Sequence, residues 1–175
     1  DQYGLVEGLS GSAFNDRLLG SESTAADLAS NRSGGSGGNH IDGSKLVAER
    51  IALIDGLGDL LGNGVLNGDG DFDGGDIILG GAGNDLITGR GGDDIIDGDK
   101  WLNVRISVRE NTDGTGAEIG SHTSMKTLVA QVFSGAINPG QLQIVREIVD
   151  NDAGGANLDI AEYRGALDEY VITRN

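Results

Sequence analysis

A mainly β fold with α insertions, in which short parallel strands wind into a coil, is predicted by three features of the sequence. Between Asp69 and Asp99 the chain reads DGDFDGGDIILGGAGNDLITGRGGDDIIDGD, with Asp76, Asp85 and Asp94 nine residues apart. Glycines stand upstream of each of these aspartates, and two apolar residues follow it. GSAFNDRLL at 11–19 and GGANLDIAE at 154–162 repeat the pattern at a distance, and the segments between carry other periodicities. The nine-residue unit G-G-x-G-x-D-x-U-x, U being a large aliphatic residue, is the signature of a calcium-binding parallel β-helix. Gly80–Thr88 matches all its fixed positions.

The spacing has a physical reading. Glycine reaches backbone conformations with positive φ and aims turn carbonyls inward, while the aspartate adds a hard anionic oxygen. The next three residues form a strand, and two such halves complete one coil. Turns eighteen residues apart therefore stack, with room for an ion between them. Calcium suits the gap because it takes about 6–8 oxygen ligands at roughly 2.3–2.6 Å in loose geometry, whereas magnesium demands a tighter octahedron.

If the intervening segments bulge from the coil, turns 11–16, 80–85 and 154–159 stack on one side, and 71–76 and 89–94 on the other. About three calcium ions are expected, shared by Asp16 with Asp85, Asp85 with Asp159, and Asp76 with Asp94. Backbone carbonyls complete each shell, from Gly11 and Ala13, Gly74, Gly80 to Gly83 (including Gly81 and Ala82), Gly89 to Gly92 (including Arg90 and Gly91), and Gly154, Gly155, Ala156 and Asn157. Asp69–Gly74 also reads as the opening of an EF-hand loop. Its twelfth position would be Gly80 in place of the bidentate glutamate, so a supplementary site using Asp69, Asp71 and Asp73 is a stronger reading than an EF-hand, and a solvated acidic turn stands as the plain alternative.

Composition narrows the classes. The 175 residues allow one domain with a core. The net charge of -16 argues against nucleic acid or anionic membranes and for cations as partners. Nine aspartates between 69 and 99 face only Arg90, so this stretch is expected to be disordered without counterions. Cysteine is absent, which excludes disulfides and thiolate metal sites. No apolar run approaches the ~20 residues of a membrane span. The start at Asp1 is expected to reflect excision from a larger protein.

Taken in order, a strand is expected around Leu5 to Leu9, and then a degenerate half-turn in which Phe14 replaces the fourth-position glycine. Ser21–Gly43 reads as a polar loop. Ser44 caps an amphipathic helix from Lys45, broken near Gly56 and Gly58 and followed by a shorter helix to Leu61. After the repeats, alternation of Leu102, Val104, Ile106 and Val108 predicts a half-buried strand, and 110–120 a loop. A helix is expected over 122–134, with Met125, Leu128, Val129, Val132 and Phe133 on one side. Asn138 and Pro139 open a second helix through Val149, completing a helical hairpin. YRGALDEYV, 163–171, reads as a closing strand with Tyr170 at the aliphatic position.

Ile77, Leu86, Ile95 and Ile160, one residue after each aspartate, should point outward because neighbours in a strand alternate faces. Such a stripe needs cover, so the inserted helices are expected to pack on it. His40 and His122 lie in polar loops outside any metal or nucleophile motif, and Trp101 reads as a packing residue.

The repeats at 71–97, with those at 11–19 and 154–162, resemble the repeats-in-toxin (RTX), haemolysin-type calcium-binding family. The resemblance implies a calcium-binding parallel β-roll with helical insertions packed on it. It also implies a secreted, extracellular bacterial protein that leaves by type I secretion and folds on calcium outside. One domain spans 1–175, with roll turns at 11–19, 71–97 and 154–173 and insertions at about 21–68 and 100–153. GRGGDDIIDGDKWLNVRISVR and LQIVREI are similar to segments beside the RTX repeats of large bacterial proteins with an animal-type haem peroxidase domain. The chain itself is expected not to be an enzyme. Alternatives are a non-catalytic region of such a peroxidase, with partner domains on the same polypeptide, or an adhesion or polysaccharide-binding module.

Overall fold

The computed structural model describes residues 8–22, 46–62, 64–72, 74–150 and 157–172. Strand is the dominant element among them. Three-residue strands β1 (Gly8–Ser10), β2 (Arg17–Leu19), β3 (Ile77–Leu79), β4 (Leu86–Thr88) and β5 (Ile95–Asp97) are followed by the longer β6 (Lys100–Arg109), β7 (Glu118–His122) and β8 (Leu142–Asp150), and then by the short β9 (Ile160–Glu162). The short strands form two parallel sheets, ordered β1-β3-β5 and β2-β4-β9, and alternate between them along the chain. Ile77 pairs with Ile95, and Leu86 with Ile160.

Alternation of faces places the eighth residue of each repeat between the sheets. Ile78, Ile87 and Leu18 are buried there, with Ile96 against them. The seventh residue faces outward, and here the two sheets differ. Ile77 is buried under Ile51, Leu57, Leu61 and Phe72, and Ile95 packs on the same cluster. Leu86 is only half-buried and Ile160 is exposed, so the stripe is covered on one sheet and not on the other.

The cover comes from the first insertion, through two short helices, α1 (Ala48–Ile51) and α2 (Leu57–Leu61). The break expected near Gly56 and Gly58 lies between them, where residues 52–56 turn away with Gly56 at φ 76°, and the first helix is shorter than its periodicity predicts. Asp55 pairs there with β8, donating to the Arg146 carbonyl at 2.9 Å and accepting from Ile148 N–H at 2.7 Å. Ser44 lies outside the described residues. Val47 holds the N-cap position without a side-chain bond, and Asp71 Oδ1 instead accepts the Ala48 N–H at 3.1 Å.

The second insertion departs furthest from the helical hairpin. It is an antiparallel sheet ordered β7-β6-β8, with Leu102 opposite Ile148 and Ile106 opposite Ile144. The residues expected to be a helix from Pro139 to Val149 form one 3-10 turn, Pro139–Gln141, and then β8. The cap itself is present: Asn138 Oδ1 accepts Gly140 N–H at 2.9 Å and Gln141 Oε1 accepts Asn138 N–H at 2.8 Å. Beyond it the β-branched Ile144, Val145, Ile148 and Val149 favour the pleated surface offered by β6. Residues 118–120, expected in a loop, begin β7. The predicted helix over 122–134 shrinks to a 3-10 turn, Met125–Thr127, and α3 (Val129–Phe133). Only Leu128 of its apolar set is fully buried, against Ile106 and Val108, while Phe133 is 88% exposed.

The closing strand is absent. Leu167–Glu169 is a 3-10 turn, and the Tyr170 ring lies 5.4 Å from that of Tyr163. A tyrosine at the aliphatic position would carry its hydroxyl into a dry interior; here that hydroxyl accepts Gly165 N–H at 2.9 Å at the surface. No helix among the described residues is long and apolar enough to cross a membrane.

Candidate metal centre

The repeat turns owe their shape to left-handed backbone at the second and fourth positions. Gly81 and Gly83 have φ of 96° and 116°, and Arg90 and Gly92 have φ of 77° and 99°. Arg90 is the one non-glycine residue with positive φ among those described, a conformation that costs a residue with Cβ about 1–2 kcal/mol. The degenerate turn at 11–16 avoids that geometry, and Phe14 simply projects into solvent, 77% exposed.

Stacking brings the repeat aspartates into two ladders. Asp16 N–H donates to Asp85 Oδ1 at 2.8 Å, and Asp85 N–H to Asp159 Oδ1 at 2.9 Å. On the opposite rim Asp76 N–H donates to Asp94 Oδ1 at 2.9 Å. The second carboxylate oxygen in each case faces the glycine that opens its turn. A Cβ placed on Gly80 would lie 2.4 Å from both Asp85 Oδ2 and the Gly98 carbonyl oxygen, and one on Gly89 would lie 2.0 Å from Asp94 Oδ2. The missing side chains thus form cradles where carboxylate and carbonyl oxygens gather.

These oxygens differ in how well they are satisfied. Asp16 Oδ2 accepts Ser12 N–H and Oγ–H at 2.6 and 2.8 Å, and Asp76 Oδ2 accepts Ser21 N–H at 2.5 Å. Asp85 is 2% exposed, and its Oδ2 is a buried side-chain oxygen without a hydrogen-bond partner. Burial is the main cause holding the Asp85 carboxyl above the usual range; the Asp16 N–H opposes this, and the charges of Asp159, Asp16 and Asp99 add to it. Burial raises Asp94 likewise, against the Asp76 N–H and with Asp76 and Asp93 adding. Among the described residues no three Asp, Glu or His side chains form a metal-binding group, so carbonyls must supply most of any shell. A hard cation fits this donor set of anionic and carbonyl oxygens with an orphaned carboxylate oxygen at its centre.

The turns completing each ladder are split by the insertions, which spacing alone does not show. Gly20, not Asp71, opens the turn above 89–94: Gly91 N–H donates to the Ser21 carbonyl at 3.1 Å, and a Cβ on Gly20 would meet Asp76 Oδ2 at 2.7 Å. The chain re-enters that turn at Gly74, whose carbonyl accepts Asp93 N–H at 3.1 Å. Gly98 likewise opens the turn that ends in Asp159, with a virtual Cβ 2.3 Å from its Oδ2. Asn157 stands at the re-entry and donates to Asp99 Oδ1 at 2.5 Å. The signal was present: RLLG and IIDG place Gly20 and Gly98 after their strands as IILG and LITG place Gly80 and Gly89.

Other expected ligands sit as follows. Asp71 is buried at the start of α1, away from both ladders, and Asp73, Gly154, Gly155 and Ala156 lie outside the described residues. Ala82 N–H donates to the Ser12 carbonyl at 3.0 Å, tying turn 80–85 to the turn that holds Gly11 and Ala13. An asparagine ladder reinforces this rim: Asn84 N–H donates to Asn15 Oδ1 at 3.0 Å, and Leu158 N–H to Asn84 Oδ1 at 2.7 Å.

Stacked nonapeptide turns with paired aspartates define a calcium-repeat class of site. Residues 71–100 match the family model of the RTX calcium-binding nonapeptide repeat (4 copies), and this stretch carries that repeat. No curated protein and no solved structure matches the chain.

Proposed function

We propose that the chain is a calcium-binding parallel β-roll module of a larger secreted bacterial protein, folding when calcium loads its stacked turns after export. The observation that carries this reading is Asp85 Oδ2, buried and without a partner beside the Gly98 carbonyl. About three ions account for the two ladders, two around Asp85 and one between Asp76 and Asp94. At calcium about 100 times the dissociation constant each ion adds about 2.7 kcal/mol. Three such ions rival the roughly 5–15 kcal/mol of a whole domain. Extracellular calcium modules have dissociation constants of about 10⁻⁴–10⁻³ M, which would leave this chain unloaded inside a cell. The module supplies structure, and any catalysis belongs to another part of the polypeptide.

Far-ultraviolet circular dichroism during calcium titration, with magnesium as control, tests the proposal. A cooperative gain of structure with calcium alone is expected. A spectrum already folded in chelator and unchanged by calcium would overturn it.

A further inference from the structure

The roll ends at β9, and the reason is steric. Register places Glu162 beside Thr88, so Tyr163 follows where Gly89 follows in the layer above. A Cβ on Gly89 would strike Asp94 Oδ2, and Tyr163 cannot occupy the same place in a further stacked turn. The chain swings away into the 3-10 turn, opening a groove of about 620 Å³ beneath turn 89–94. That volume lies within the roughly 300–1,000 Å³ of small-molecule sites.

The groove wall carries Tyr163 and Tyr170, 65% and 41% exposed with rings tilted at 57°. Arg90 and Arg164 line the groove and share Glu22, which takes two hydrogen bonds from Arg164 and lies 3.9 Å from Arg90 Nε. Asp93 and Glu162 also line the groove; Glu162 Oε2 accepts from Thr88 Oγ1 at 3.1 Å, and among the described residues no side-chain hydrogen bond engages the Asp93 carboxylate. A strongly cationic ligand would meet the two arginines, and an anionic one the carboxylates. A neutral ligand rich in hydroxyls finds donors and acceptors together, with aromatic faces for its C–H surfaces.

We infer that this groove is a binding site for a neutral oligosaccharide. Sugar faces rest on Tyr163 and Tyr170, and hydroxyls bridge the guanidinium groups of Arg90 and Arg164 and the carboxylates of Asp93 and Glu162. None of these six residues supplies a ladder carboxylate, but Arg90 and the groove-lining Gly89 and Asp94 belong to the turn of the Asp76–Asp94 rim, so the groove adjoins the proposed calcium site and is told from it by Tyr163, Tyr170 and Arg164, which lie outside that turn.

The test is amide-shift titration of the whole chain in calcium with maltotetraose, cellotetraose, mannotetraose and chitotetraose, and with tetralysine and tetraglutamate as charged controls. At least one tetrasaccharide is expected to shift the amides of Thr88, Arg90 and residues 162–165 saturably, without dependence on salt. Tyr163→Ala should weaken that binding about tenfold while leaving the calcium titration of the fold unchanged. Arg164→Gln provides a second variant should the first misfold. Silence from all four sugars, binding indifferent to both variants, or salt-sensitive binding of tetralysine alone would overturn the inference.

Discussion

Asp85 is the middle carboxylate of the longer ladder, bonded to Asp16 on one side and Asp159 on the other, whereas Asp94 has one partner, Asp76. If ions occupy the gaps between stacked turns, losing Asp85 removes two and losing Asp94 removes one. Well above the dissociation constant, each tenfold rise in calcium adds about 1.4 kcal/mol per bound ion. Three ions therefore give about 4 kcal/mol per decade, Asp94→Asn about 2.8, and Asp85→Asn about 1.4. Asparagine keeps an oxygen for the neighbouring N–H while removing the charge and replacing the second oxygen, the one facing the ion, by an amide nitrogen, so the comparison separates ion binding from the ladder hydrogen bond. Urea unfolding at a series of saturating calcium concentrations reads the slopes. Equal slopes for the two variants, or an unchanged slope for Asp85→Asn, would refute the assignment of Asp85 to two shared ions.

Acidity supplies a further check. Burial raises Asp85 and Asp94, so the folded state holds their protons more tightly; stability from the protonated forms is full below the ordinary aspartate value of about 3.9 and is lost as pH rises through the raised values. Glu147, held low by Arg105, acts oppositely and costs stability only as pH falls below the usual carboxylate range. In chelator, whatever structure persists should therefore lose urea resistance as pH rises through the raised values of Asp85 and Asp94, whereas calcium affinity should fall as pH is lowered through that same range because protons compete for the carboxylates; urea unfolding and calcium titration across a pH series read both. Gly89→Ala should abolish loading of the Asp76–Asp94 rim, whereas Gly64→Ala, with open space around it, should leave the calcium titration unmoved. Ile78→Ala, between the parallel sheets, and Leu128→Ala, in the antiparallel sheet's core, should each cost about 2–5 kcal/mol in urea unfolding.

What could be read from sequence was local. The strands after Asp16, Asp76, Asp85, Asp94 and Asp159 follow from a few adjacent residues, as does the inward-facing eighth position. The sharing of turns between Asp16, Asp85 and Asp159 was also legible, because insertions in a coil leave its layer spacing intact. The half-turns opened by Gly20 and Gly98 were obscured because their partners at Gly74 and Asn157 lie beyond the insertions. Within β8, apolar residues satisfy both a helical and a strand spacing, and the choice was made by pairing with β6, which no local window contains. Asp71 looked like a ligand because it sits among aspartates; its role as a cap depends on the chain folding back to Ala48.

Both intervening segments leave the stacked short strands within a turn and return to the same turn, at Ser21 and Gly74 for one and at Asp99 and Asn157 for the other. The arrangement is a clasp. Each inserted segment is gripped by its two ends, and the antiparallel sheet has a core of its own in Ile106, Val108 and Leu128. Under tension the turn and the antiparallel sheet form separate mechanical links, because the sheet keeps its own core when a turn opens, whereas the first insertion stays tied through its helices on Ile77 and Ile95 and through Asp55 on β8. Calcium bound as proposed would then set the force at which a turn opens, leaving the strength of the sheet's own core unaltered.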